Sequence, residues 1–215
     1  MENVTWDIAL FEALNFDGGA LFDSLMTIAS GVVVWLPLYA LIVYMVWRRY
    51  SWRGVVALFL SVALAMGMAD LIAGIFKHTG PLGEVWPSFP ARLRPMFSEG
   101  LDSVHVPSYD HGQYGTVSAH AATIIAMSLL SSVVVARRWF TWIMVAVALV
   151  VCYSRIYLAC HFPQDIVLGA AVGLASASAG IALFNYICPL VKSKKNVTIR
   201  KMRYTMLWRI FLCVY

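Results

Sequence analysis

Charge is what this chain most lacks. Asp, Glu, Lys and Arg make up 13% of its 215 residues, where a soluble domain carries about 25%. So little charge cannot coat a water-soluble globule, which makes lipid the expected solvent for much of the chain. Cysteine is also scarce. The four present (Cys152, Cys160, Cys188 and Cys213) show no CxxC or CxxH spacing, so they read as small apolar residues rather than a disulfide frame or a zinc site. No HExxH, Asp-rich run or Cys/His cluster occurs, and neither a metal nor any other cofactor is expected. The first residues, MENVTWDIALFEALNF, have no basic n-region and no small-residue cleavage site, so a cleaved signal peptide is not expected. A net charge of +5 would suit nucleic acid, but the placement of the cations argues against that partner.

What is abundant is apolar sequence. Hydrophobic residues make up 61% of the chain and mean hydropathy is +0.76. A spanning helix needs about 20 apolar residues. Runs of roughly that size lie at Ser24 to Trp47, Gly54 to Phe76 (broken only by Asp70), Thr116 to Ala136, and Ile166 to Val191. A further span begins at Trp139, runs to about Tyr153, and continues into the mixed segment SRIYLACHFPQD. Residues 2–20 have the spacing of an interfacial helix, and the final YTMLWRIFLCVY is too short to cross. The expected fold is all-α: a single membrane-embedded bundle over 1–215 with about five spanning helices and an N-terminal interfacial helix, six in all. A basic tail follows from residue 192.

The cations orient it. Arg48, Arg49, Arg53, Arg137, Arg138 and the seven Lys/Arg from Lys192 onward share one side, twelve of sixteen basic residues. By the positive-inside rule that side, with the C-terminus, is cytoplasmic. The other side holds the N-terminus, all five histidines and every acidic residue except Asp70 within the second span. Only four cations remain there: Lys77, Arg92, Arg94 and Arg155.

Those four fall in two of three segments at the ends of spans that carry the unusual residues of this side. The first is KHTGPLGEVWPSFPARLRP from Lys77 to Pro95; the second is Ser118-Ala119-His120; the third is Ser154-Arg155, then five residues, His161, three residues and Asp165. Packing the spans gathers them into one pocket at the membrane surface. Arginine forks and a lysine bind phosphate oxygens. If its segment is helical, His161 shares a face with Asp165, which suits a nucleophile held in one tautomer. A second histidine can protonate a leaving oxygen, and cations can stabilise the transferring phosphoryl group.

These segments resemble the three signature motifs of the type 2 phosphatidic acid phosphatase superfamily: Lys-x6-Arg-Pro, Pro-Ser-Gly-His and Ser-Arg-x5-His-x3-Asp. SRIYLACHFPQD matches the third without deviation. Val117-Ser118-Ala119-His120 keeps the serine and histidine of the second. In the first, sixteen residues separate Lys77 from Arg94 where the family has six. The resemblance, over about residues 70 to 175, implies that His161 is the nucleophile and becomes phosphohistidine, oriented by Asp165. It makes His120 the acid, and Ser118, Arg94, Arg155 and Lys77 the phosphate holders. The insertion leaves Arg92 as an alternative to Lys77, although Lys77 ends an apolar span as the motif expects. The implied substrate is a phosphorylated lipid in the bilayer. Undecaprenyl diphosphate or lipid A is favoured, with phosphatidylglycerophosphate and phosphatidate as other choices, in a bacterial inner membrane with the site facing the periplasm. Nothing calls for an obligate protein partner. Lipid-to-lipid phosphotransfer, and non-catalytic binding or transport of a phospholipid, are the competing functions.

The other unusual residues have structural expectations. Asp70 reads as an interhelical hydrogen-bonding group, and His78, His105 and His111 as loop residues. Trp47, Trp52, Trp86 and Trp139 read as interface anchors. The small-residue stretch from Gly169 to Gly180 has the spacing for close helix packing.

Overall fold

A computed structural model describes residues 5–77, 85–86, 91–101, 104–107 and 112–188. His78, His111 and the basic tail lie outside the described residues. Among the described residues six α-helices follow in order: α1 (Thr5–Leu14), α2 (Gly19–Ser30), α3 (Leu36–Ile75), α4 (Ala119–Val135), α5 (Arg138–Tyr157) and α6 (Pro163–Ile187). Among the described residues there is no strand, only one antiparallel bridge between Leu93 and Tyr114.

α3 is two limbs joined at a corner. Ser51 has φ 65° and ψ −173°, outside any helix. The first limb passes Trp35 and Leu38, which pack on Ile124, Val147 and Val151. It ends at Tyr50, whose ring meets Phe184 edge-on at 5.5 Å near the far end of α6. The second limb climbs back past Ser61 and Ala65, which face Gly180. The polypeptide from Val33 to Ile75 thus doubles back at Ser51; this segment, α5 and α6 are long and apolar enough to cross a bilayer, and α4 is a shorter apolar helix packed among them. The chain is an integral membrane protein. At the far end Arg49 Nη1 donates to Val135 O at 2.8 Å, which puts the RRYSWR corner beside the α4–α5 turn with Arg137 and Arg138. Two of the basic clusters thus share one end.

The first apolar run differs from its expected form. Ser24 to Trp47 is not one helix: α2 stops at Ser30 and Gly31 is extended, with ψ 159°. A 3₁₀ turn, Val33–Trp35, restarts the chain, and Pro37 sits in the first turn of α3, where its missing N–H costs nothing. The N-terminal interfacial segment is accordingly two short helices. α1 packs through Phe11 against Phe162 and Ile156. α2 buries none of its residues fully and packs Phe22 and Met26 on Tyr157, Leu158 and Cys160.

α6 is the mast of the bundle because its glycines let neighbours touch its backbone. A Cβ on Gly169 would lie 2.6 Å from Ser118 O, one on Gly173 2.6 Å from Ala122 O, and one on Gly180 2.8 Å from Ser61 O. The Gly169–Gly180 stretch therefore packs as its spacing predicts. Asp70 does not: it is exposed, with no hydrogen bond or ion pair among the described residues, so it is not an interhelical group. Trp47, Trp52, Trp86 and Trp139 are each more than half exposed, as anchors require.

Candidate active site

The second and third motif segments and the described stretch of the first from Arg92 to Pro95 converge at the polar end. The closeness of Gly169 and Ser118 fixes the second motif against the third, and Ser118 N donates to Asp165 O at 3.1 Å. Ser118 caps α4: its Oγ accepts from Ala121 N at 3.3 Å, leaving the hydroxyl hydrogen free to donate. The first motif is pinned by the bridge at Leu93. Arg94 N donates to Gln113 O, and Gly115 N to Arg92 O, both at 2.9 Å. Arg94 Nη1 then reaches Cys160 O and its Nε reaches Tyr114 O, each at 3.3 Å.

His161 is 2% exposed and lies before α6, not on it. The expected shared helical face is therefore absent. Asp165 meets His161 by folding back as the third residue of α6, where its Oδ2 accepts from Phe162 N at 3.0 Å. That oxygen lies 3.5 Å from His161 Nδ1. Closer still is Gly115 O, 2.9 Å from Nδ1. A carbonyl can only accept, so Nδ1 carries the proton and Nε2 keeps its lone pair. Burial, followed by the fields of Arg94, Arg155 and His120, holds the His161 pKa well below its ordinary 6.5. The ring is neutral at neutral pH, as a nucleophile must be. Burial likewise lowers the pKa of Arg94, opposed by Cys160 and Asp165, and raises that of Cys160, opposed by Arg155 and Arg94.

Arg155, 3% exposed, donates from Nη1 to Ser30 Oγ, while its buried Nε has no hydrogen-bond partner. A buried guanidinium donor left unpaired is costly, and an anion would satisfy it. His120, exposed in the first turn of α4, is near enough to bear on the His161 charge. Lys77 ends the second limb of α3 half-buried, and among the described residues no hydrogen bond or ion pair holds its side chain. Arg92 is held tightly. Its Nη2 pairs with Asp7 Oδ2 at 2.6 Å, its Nη1 lies 3.5 Å from Asp165 Oδ1, and its guanidinium covers the Phe162 ring at 3.7 Å. Of the two cations offered for the first motif, Lys77 is the one whose charge is held by no carboxylate among the described residues.

Apart from Gly115 O and Asp165 Oδ2 on its Nδ1 side, the charges that bear on His161 are the guanidinium groups of Arg94 and Arg155, poor ligands for a metal cation. Among the described residues one three-membered set could offer ligands, Asp17, Asp23 and His105, with ligand atoms within 4.8 Å of one another. Its atoms are already occupied. Asp23 Oδ1 accepts from Tyr157 Oη at 2.5 Å and lies 2.7 Å from His105 Nε2. Hydrogen bonding from Tyr157, then from His105, lowers the Asp23 pKa. His105 is thus a structural knot rather than a plain loop residue. Asn15 tightens it, accepting from His105 N at 2.8 Å and donating to Tyr157 O at 2.7 Å.

A model of the PAP2 superfamily matches residues 54–189. The chain belongs to that superfamily. Among relatives of this PAP2 protein, a lipid A 4'-phosphatase of Bacteroides thetaiotaomicron is 30% identical over 155 residues, covering 71% of this chain and 65% of the relative. The PAP2 chain thus spans just under two thirds of that relative's length. An undecaprenyl-diphosphatase of Sulfolobus acidocaldarius is 24% identical over 175 residues, covering 80% and 75% of the two chains. The crystal structure of Aquifex aeolicus LpxE shares the fold, with a TM-score of 0.58 and 19% identity, over 85% of this chain and 98% of its own.

The residues that sequence reasoning missed are those acting through the backbone or from a distance. Gly115 lends a carbonyl, and a Cβ there would lie 2.9 Å from Arg94 Cγ and 3.2 Å from His161 Nδ1. Its one signal was a glycine just ahead of the second motif. Ser30 and Asp7 carried none.

Proposed function

We propose that this PAP2 protein is a membrane lipid phosphatase, one domain over residues 1–215, that works through a phosphohistidine. The observation that carries the reading is His161 itself, with its Nδ1 proton held by Gly115 O and its neutral Nε2 free beside two buried arginines. Nε2 attacks phosphorus and the P–O bond to the lipid breaks. His120 gives its proton to the departing oxygen. Water then attacks the phosphohistidine while His120 takes a proton from it, and inorganic phosphate leaves. Arg94, Arg155, Lys77 and the Ser118 hydroxyl hold the phosphoryl oxygens, and Asp165 steadies the imidazole.

Lipid A and undecaprenyl diphosphate are the favoured substrates, on the names of the relatives and on a site at the end of the bundle. There a lipid tail can stay in the bilayer while its headgroup enters. The bias of basic residues toward the opposite end supports a site on the periplasmic face of a bacterial inner membrane.

The test is phosphate release by the full chain in detergent, with EDTA present. The panel is lipid A, undecaprenyl diphosphate, phosphatidylglycerophosphate and phosphatidate, with His161→Ala in parallel. Release by the wild type that the variant loses is the expected result. Release that survives in the variant, or appears only after adding a divalent metal, would overturn the mechanism.

A further inference from the structure

The superfamily match begins at residue 54, yet a fully buried carboxylate from α1 reaches into the site. Asp7 makes two contacts there. Its Oδ1 accepts from Gln164 N at 2.8 Å, in the first turn of α6, and its Oδ2 pairs with Arg92 at 2.6 Å. Arg92 in turn bears on the nucleophile by two routes. Its Nη1 faces Asp165 Oδ1 at 3.5 Å, and Asp165 faces His161. Its backbone carbonyl holds Gly115 N at 2.9 Å, and Gly115 O receives the Nδ1 proton of His161. The backbone of Arg92 is itself fixed, its N donating to Thr116 Oγ1 at 3.0 Å. Both groups that touch His161 Nδ1 therefore lead back to Arg92, and the side chain of Arg92 is tethered by Asp7.

We propose that Asp7 and Arg92 are positioning residues for phosphoryl transfer, so that the N-terminal helix α1 completes the active site. The inference rests on the phosphatase reading. Asp7 and Arg92 are engaged with each other and with Asp165 and Gln164, and in this role they set where the imidazole lies rather than hold the phosphate. An outlying pair that only held the fold together would lower stability and leave turnover by the folded protein unchanged. A pair that positions the nucleophile lowers kcat while leaving the grip on phosphate alone, because that grip belongs to Arg94 and Arg155.

The experiment compares wild type, Asp7→Asn, Arg92→Lys and Arg155→Lys as full-length protein in detergent, on whichever lipid the wild type hydrolyses. It measures kcat, KM, inhibition by inorganic phosphate and thermal unfolding. For Asp7→Asn the expected result is a kcat lower by about 10- to 100-fold, the usual cost of losing a partner that orients a reacting group. KM and phosphate inhibition should stay within about twofold. Arg155→Lys should raise KM and weaken phosphate inhibition, and lower kcat as well, because Arg155 also holds the phosphoryl oxygens during transfer. A folded Asp7→Asn protein with wild-type kcat overturns the proposal. Should Asp7→Asn fail to fold, Arg92→Lys decides, because lysine keeps the charge beside Asp7 but lacks the second arm. A loss in kcat alone supports the proposal; a raised KM with kcat kept, or no change, overturns it. Failure of the phosphatase reading is distinguishable, since the wild type would then release no phosphate from any lipid, and this inference would fall with it.

Discussion

The two ends of the bundle are held together by different physics. At the far end and through the middle, Val46, Tyr50, Ala57, Leu130, Met144 and Phe184 belong to one apolar cluster, closed by glycine and alanine contacts along α6. Buried hydroxyls occur there too, at Ser61, Ser128, Ser131 and Ser176, and among the described residues none has a hydrogen-bond partner. They serve as small residues. At the polar end six ionisable side chains (Asp7, Arg92, Arg94, Arg155, His161 and Asp165) are each less than a tenth exposed. Each contacts a charge or a backbone carbonyl, apart from Arg155, which holds a hydroxyl. The far half depends on volume and tolerates changes in chemistry; the polar half depends on chemistry and has no spare volume.

The change expected to break that contrast most severely is Gly115→Ala. One methyl group would push Arg94 and His161 apart, so phosphate release should fall by on the order of 100-fold while the fold persists, as a small misplacement of a reacting group implies. Circular dichroism beside the release assay checks both halves of this statement, and near-normal activity would sink it. Next in size is Gly173→Ala. With Ala122 O at 2.6 Å the helices must separate, costing about 1–3 kcal/mol. Thermal unfolding should show a clear loss, whereas Gly67→Ala, with nothing within 4 Å, should not.

A gentler probe is pH. His161 is neutral in the folded chain and protonated in the unfolded one below about 6.5. Its contribution to stability is therefore intact above 6.5 and is lost as pH falls from there toward its depressed folded value. In NMR of histidine-labelled protein its ring signals should stay fixed through 6.5; a midpoint there would contradict the burial argument. The smallest effect belongs to Ser61→Ala, which removes a hydroxyl with no partner. It should change stability by less than about 1 kcal/mol in either direction. A large loss would mean that the far half relies on hydrogen bonds after all.

The spans were legible because hydropathy records volume and solvent, the physics of the far half. Ser51 falls inside the charged corner RRYSWR, and the α6 glycines announced their contacts through spacing. The break at Gly31 was hidden because an uncharged run reads the same whether or not a helix continues through it. At the polar end, residue types and spacing named His161, Asp165, Arg155, Arg94, Ser118 and His120. The means of holding them was not readable. The carbonyl of Gly115 leaves no trace in its side chain, and Asp165 meets His161 through a helix cap rather than along a helical face. Arg92 is a cation like Arg94 in the sequence, and only the structure shows that one pairs with Asp7 and the other with the carbonyl of Cys160.

The contact between Asp7 and Gln164 also has a consequence in time. The two residues stand 157 positions apart. At synthesis rates of about 5–20 residues per second, on the order of ten to thirty seconds pass between the appearance of one and the other. Through that interval α1 waits at the membrane surface with its carboxylate unmatched, while the later helices are threaded into the bilayer. On the proposed mechanism the nucleophile His161 is made late and its surroundings close late, around the part of the chain that was made first. On that mechanism, a ribosome that stops short of α6 leaves behind a bundle without Asp165 or Gln164, the two residues that tie Arg92 and Asp7 to the last helix, and so without the means to turn over.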